Sequence, residues 1–449
     1  MPPQVALIIC TIFVLWLLRL EHKQAPEVSF ALWIPTIWML SIASKPMGTW
    51  FGYGLEGVGA ESGSPLDRVF LTGLLCLGLF ILASRNFNWA RAAKENTWLV
   101  LLIAYMLFSI FWSDIPYISF KRWTRELVAV VMAFIVLTEQ DPHQALQSLF
   151  RRSAYILIPF SLLLINYFSA YGREYNRWTG ELMWIGVTLQ KNSLGRLCLI
   201  AAFFFVWVLI RRWQGSDIPV GRYRTYADVL VLIVTLWLLK GSPDGAYPAT
   251  AFAALAAGLA TFIGLLWMKR HRIHLGVNIL TAIIALIIAL GIVTPMVGGS
   301  TVAGFTSVLA RDETLTGRTG IWATLLPIAM QRPILGHGLG GFWTPTFVEM
   351  YRINEAHSGY LDVLLGLGFV GLLFVSMFLL SSCRKAQREL AHDFDWASLW
   401  ICYLVMAVVH NITESSLASL TSHLTAILLF LTSSYTAATL HTPGASREV

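Results

Sequence analysis

Arg318 and His357 are the residues whose types best suit them to chemistry. A guanidinium is permanently charged and shaped to grip phosphate oxygens in pairs. An imidazole titrates near neutrality and can take a proton from a hydroxyl. Both fall in one polar stretch, residues 298–360, of an otherwise apolar chain. The stretch contains Thr316-Gly317-Arg318-Thr319-Gly320-Ile321-Trp322, then Pro333-Ile334-Leu335-Gly336-His337-Gly338, then Glu355-Ala356-His357-Ser358-Gly359-Tyr360-Leu361-Asp362. An insert this long between apolar segments calls for a use.

After the Thr-x-Gly lead-in, Ile321, Trp322, Leu325, Leu326 and Ala329 recur at helical spacing. They predict an amphipathic helix lying on the membrane and ended by Gln331-Arg332-Pro333. Arg318 then sits in its first turn, where the helix dipole disfavours a cation, so it asks for an anionic partner. That partner is either a ligand or a nearby carboxylate, Asp312 or Glu313. Gly336-His337-Gly338-Leu339-Gly340-Gly341 follows no strand and lacks the Lys-Ser/Thr ending of a nucleotide loop. Gly336 and Gly338 are read as loop-shaping and His337 as a turn residue. Ser358 can cap a helix starting near Gly359, and the positive end of that helix would keep His357 neutral while Glu355 pulls the other way. The alternatives for His357 are a general base at the membrane edge and a purely structural boundary residue.

The elements that must position these residues are membrane helices. Hydrophobic residues make up 56% of the 449 and charged residues 13%, against about 25% charged in soluble domains; mean hydropathy is +0.65. Apolar runs predict an all-α polytopic membrane protein with about 12–13 spans, each approaching the ~20 residues that cross a bilayer. The first run has no small-residue cleavage site after it and reads as a retained helix. Three regions follow: residues 1–297 as a bundle of about ten helices, 298–360 as an extracytoplasmic loop with its amphipathic helix, and 361–449 as C-terminal helices and a short tail. The five cysteines are widely spaced without metal-ligand patterns and read as small apolar residues in or against the spans. Short basic loops at 84–96, 211–226, 269–274 and 383–395 belong in the cytoplasm by the positive-inside rule. The long loop is then extracytoplasmic, where neither ATP nor nucleotide sugar is available. The net charge of +7 reflects this loop bias and not a nucleic-acid surface.

With 13 spans, Lys121, Arg122 and Arg125 break that rule on the outer side, where Arg173, Arg177 and Lys191 add positive charge. The cluster suits an anion such as a lipid diphosphate, unless the span count is off by one. Arg196, about a turn inside the span after Lys191-Asn192, either snorkels outward or points into a central cavity. Glu414 lies at a helix break and is a solvated turn or part of a site; Asp244 reads as a turn residue. No internal repeat is visible, which weighs against a transporter.

The series Gly317-Arg318, Trp322, Pro333, Gly336-His337-Gly338, His357-Ser358-Gly359-Tyr360-Leu361, Gly368 and Gly371 resembles the C-terminal signature of the O-antigen ligase/O-antigen polymerase family. Trp112-Ser113-Asp114 with Ser119 and Arg122, and Lys191-Asn192-x-x-Gly195, are similar to its exopolysaccharide polymerase branch. Two departures stand out: Ser358 where the family often has Asn, and Gly366-Leu367 where it has a Glu before Gly368. The resemblance implies a bacterial inner-membrane glycosyltransferase of GT-C type. Its donor would be an undecaprenyl-diphosphate-linked oligosaccharide and its acceptor a glycan, with no cofactor and no metal. His357 would activate the acceptor hydroxyl and Arg318 would stabilise the leaving diphosphate. Arg122, Arg125, Lys191, Asn192 and Arg196 would bind the lipid diphosphate. A flippase and chain-length or export proteins are implied partners. The resemblance favours a polymerase over a ligase that transfers finished glycan to lipid A core; a flippase for lipid-linked sugars or a scaffold would not need His357.

Overall fold

The computed structural model describes residues 1–52, 64–175, 180–215, 221–242, 247–273, 278–297 and 313–440. The side chains of 313–316 and 436–440 lie outside that description, as do Asp244, Arg177 and Asp312. In chain order the helices are α1 (Pro3–His22), α2 (Trp33–Ile42), α3 (Met47–Trp50), α4 (Pro65–Ser84), α5 (Trp89–Glu95), α6 (Thr97–Phe108), α7 (Pro116–Leu137), α8 (Pro142–Tyr167) and α9 (Ser169–Gly172). After a short hairpin come α10 (Lys191–Trp213), α11 (Arg222–Lys240), α12 (Ala249–His271) and α13 (Ile279–Val297). The polar stretch contributes α14 (Glu313–Ala329) and α15 (Pro345–Tyr351), and α16 (Gly359–Glu389), α17 (Phe394–Thr413) and α18 (His423–Leu440) close the chain. Among the described residues the only strands are Arg173–Tyr175 and Leu182–Trp184, paired antiparallel with Arg173 opposite Trp184.

Eight of these helices are long and apolar enough to cross a membrane, nine if the bent pair Trp89–Glu95 and Thr97–Trp112 counts as one span. The other expected spans fall on α2 and α18, which are short, and on α7 and α11, whose ends carry charge. Helix starts follow local chemistry. Pro142 sits at the first turn of α8 while Asp141 accepts from the His143 and Gln144 amides, and Asp393 accepts from Trp396 at the start of α17; both bind orphan N–H groups. Burial then ranks the helices: 83% of the α17 span is buried against 17% of α1 and α4. The inner helices α8, α10 and α17 are locked by aromatic packing and by side-chain bonds such as Tyr403 Oη to the Ile200 carbonyl, 2.8 Å. Three of the cysteines are buried, Cys10 is half-buried and Cys76 is exposed.

One helix is broken. Gly368 in α16 has φ 66° and ψ −167°, a conformation open to glycine. The segment 333–341 docks into the break. Phe369 and Val370 donate to the Pro333 and Ile334 carbonyls at 2.8 and 3.2 Å, and His337 donates to the Leu365 carbonyl at 2.9 Å. Tyr105 donates to the Leu367 carbonyl at 2.8 Å. Every backbone group freed by the break that can be traced this way has a partner, as buried backbone requires. Gly336 fits only without a side chain: its φ is +67°, and a Cβ would stand 2.6 Å from the Gly366 carbonyl carbon.

Candidate functional site

The amphipathic helix is present as α14, with Trp322, Leu325 and Ala329 buried. It packs on α13 and α16. It begins at Glu313, so Arg318 sits in its second turn, and the helix-dipole argument for an anionic partner loses most of its force there. The partner is nevertheless present. Arg318 Nη2 pairs with Glu414 Oε1, a residue 96 positions away. Neither neighbour expected from sequence is shown in that role: Asp312 and the Glu313 side chain lie outside the described residues.

Glu414 is the hub. It is the C-cap of α17, its side chain is 3% exposed, and Asn192 Nδ2 donates to the same Oε1 at 2.7 Å. His357 Nδ1 faces its other oxygen at 3.9 Å and Glu355 Oε1 at 3.2 Å. The His357 backbone is left-handed, φ 47°, an uncommon state for a non-glycine residue and often found where geometry is fixed for function. The fold holds it there from three sides. Trp322 Nε1 donates to the Ala356 carbonyl at 2.9 Å, Ser358 caps α16 by accepting from Leu361, and the Gly359 amide donates to the Glu414 carbonyl at 3.0 Å.

Electrostatics here run against the neutral imidazole expected from the helix N-terminus. Burial alone would lower the His357 pKa, but its contact with Glu414 and the charge of Glu355 outweigh that and raise it. The cause is that sequence proximity showed the helix end and hid Glu414. Burial would likewise raise Glu414, yet the contact with His357 and the charge of Arg318 bring it down to about 2. Burial raises Glu355, opposed first by His357. The three groups titrate as a coupled set.

Arg196 points inward and not out to the interface: it donates to Ser422 Oγ at 2.8 Å and its charge reaches Glu414. Asn192 and Arg196 therefore join Arg318 and His357 around Glu414, and Lys191 begins the same helix. Arg122 and Arg125 stand apart from that hub but share its border. They line a cavity of about 330 Å³ whose wall also carries Glu355, Asp362, Trp343 and Ser415. Arg122 additionally donates to the Gly340 carbonyl, while Arg125 forms no hydrogen bond or ion pair among the described residues. Gly338, with φ +83°, passes so close to the Ser109 carbonyl that a Cβ would lie 2.7 Å from it. His337 is a turn residue, its amide spent on α16 and its pKa lowered by burial and by Arg332.

Sequence reasoning left Glu414 undecided and gave Glu355 only an opposing charge. The signal that could have found Glu414 is its place beside His410-Asn411, a polar run closing an apolar span. The loop alone offers no metal-ligand cluster, but the fold assembles one. One ligand atom each from Glu355, His357 and Glu414 lie within 4.8 Å of one another. Such a set suits a hard or borderline divalent ion, although Arg318 and Asn192 already occupy Glu414 Oε1.

Residues 245–376 match the family model described as O-Antigen ligase. The chain is O-antigen ligase- or polymerase-like. It is also 24% identical over 321 residues to the exopolysaccharide production protein ExoQ of Rhizobium meliloti (strain 1021), which covers 67% of this chain and 68% of the relative. The matched family region holds Arg318, His357 and the break at Gly368 but ends before Glu414. A chain that resembles O-antigen ligases over residues 245–376 thus gathers arginines and an imidazole around Glu414.

Proposed function

We propose that this protein polymerises undecaprenyl-diphosphate-linked oligosaccharide repeat units into an exopolysaccharide. It would act as an inverting, metal-independent glycosyltransferase of the bacterial inner membrane, with residues 298–360 as its catalytic loop on the outer side. The first 297 residues and the last 89 (361–449) would be the transmembrane helices that frame that loop and supply its diphosphate-binding residues and Glu414. The observation that carries this reading is the meeting of Arg318 and His357 on one buried carboxylate, Glu414.

Because Nδ1 of His357 faces Glu355 and Glu414, the proton of the neutral ring belongs on Nδ1 and Nε2 is left to accept. Nε2 takes the proton of an acceptor hydroxyl as its oxygen attacks the anomeric carbon. The bond from that carbon to the diphosphate breaks, and its electron pair leaves with the lipid diphosphate. Both carboxylates favour the imidazolium that results. Arg318 stabilises the charge growing on the leaving group, an electrostatic role that contributes roughly 3–4 kcal/mol in comparable sites. Arg122 and Arg125 bind further diphosphate oxygens at the cavity, and Lys191, Asn192 and Arg196 would do so from the Glu414 side. The name of the relative, an exopolysaccharide production protein, favours polymerisation. The family description keeps a ligase as the second reading.

Purified protein given lipid-diphosphate repeat units alone decides between them. Growing chains are expected. Transfer only when a separate acceptor is added would replace the polymerase by a ligase, and no transfer in either case would overturn both.

A further inference from the structure

The end of the bundle opposite Glu414 gathers a second set of charges from three helices. Arg212 Nη2 of α10 stands 2.7 Å from Asp228 of α11, and Arg151 Nε of α8 stands 3.5 Å from it. Tyr155 donates to the same carboxylate, and the charges of Arg151, Arg212 and Asp228 all act on Arg224, whose guanidinium donates to Gln24 beside α1. Three guanidinium groups thus share one carboxylate. The neighbouring Arg152 is balanced by Glu21 at 2.7 Å and corrects nothing.

This excess is dry. The Arg151 side chain is 2% exposed, Asp228 0% and Arg212 11%. Nε of Arg151, of Arg212 and of Arg224 is buried, and none has a hydrogen-bond acceptor among the described residues. A buried charge without a partner is one of the costliest arrangements a fold can hold, and charged N–H groups left unpaired add to it. Exposed Arg19, His22, Lys23 and Arg222 ring the same helix ends.

We propose that this cluster is an anion site that takes a phosphate group, supplied by an acidic lipid headgroup. Guanidinium forks match the oxygens of a phosphate, and basic pockets between membrane helices at headgroup depth bind such lipids. The basic rim gives the headgroup its way in. Free phosphate offers the same oxygens without the acyl chains, so the test separates the two sources.

The full-length protein, purified in detergent, is titrated with phosphatidylglycerol, with phosphatidylcholine and with inorganic phosphate. Bound lipid is counted by native mass spectrometry, and thermal unfolding is followed in parallel. Phosphatidylglycerol is expected to remain bound and to raise the unfolding temperature, phosphatidylcholine to do neither. Arg151→Gln and Arg224→Gln should each weaken retention at least tenfold. Arg224→Glu supplies the missing carboxylate from within; it should fold and cease to respond to the lipid, which keeps the test open if the glutamine variants do not fold. An equal response to inorganic phosphate assigns the site to free phosphate. The proposal is overturned if neither anion acts or if phosphatidylcholine acts equally.

Discussion

The two arginine clusters are built on shared helices, and α10 carries Arg196 into one and Arg212 into the other, about 24 Å apart at 1.5 Å per residue. Around Glu414, two arginines and a histidine meet two carboxylates, and a cavity of about 330 Å³ opens on Glu355. Around Asp228, three arginines meet one carboxylate and three buried N–H groups lack acceptors. The first cluster is balanced as it stands, so under the proposed function a diphosphate would exchange with Glu414 for Arg318 and could leave again. The second is unbalanced, so an anion that enters it has no internal rival and should stay. Internal neutrality marks a site for turnover; its lack marks a site for retention.

Removing the exchange chemistry should have the largest effect. His357→Ala is expected to cut chain growth about 10²–10⁴-fold, the range of a general base, and Arg318→Ala about 10²–10³-fold, with unfolding temperatures near that of the wild type. Loss of less than tenfold in both, measured on lipid-diphosphate repeats, would erase the contrast with the Asp228 cluster.

The pH dependence sharpens the same contrast. His357 acts when neutral, so kcat/KM should rise through its folded pKa, which lies above the usual imidazole range. Glu414→Gln removes a carboxylate that raises it, so the acidic limb should move to lower pH. An unmoved limb would detach His357 from Glu414. The stability signs are opposite for the two partners. The raised His357 contributes stability at pH below its ordinary value, lost as pH rises through the folded value. Glu414, lowered to about 2 from 4.5, contributes above pH 4.5 and loses it as pH falls toward 2. Thermal unfolding across pH reads both.

Gly336→Ala forces a Cβ into the broken helix and a left-handed backbone at once. It should cost roughly 1–3 kcal/mol, seen as a lower unfolding temperature, and should disturb the Glu414 cluster far more than the Asp228 one. The smallest expected effect is from EDTA, which should leave chain growth unchanged. Activity lost on chelation and restored by a divalent ion would make Glu355, His357 and Glu414 a metal site and end the exchange model.

Much of this was legible in sequence because a bilayer imposes long apolar runs. The helices α8, α10, α12, α13, α16 and α17 fall where those runs lie. Arg318 and His357 were visible because charge is conspicuous in apolar text, and Ser358 because capping is local. Glu414 was left undecided between a turn and a site, since its partners are 57 and 96 positions away and only packing of α14 and α17 against α16 joins them. The His357 proton was misjudged for the same reason. Arg151 and Asp228 escaped notice because nothing in a single helix says that its charge will be outnumbered.

The docking of 333–341 into the break at Gly368 bears on how the protein is made. A span with an open kink cannot rest in lipid with its carbonyls and amides exposed. Gly359–Glu389 therefore reaches its final shape only once residues 333–341 have closed over it. Insertion and site assembly are thereby coupled: until residues 333–341 seat, the span keeps unpaired backbone groups, and Arg318 and His357 are not yet held together.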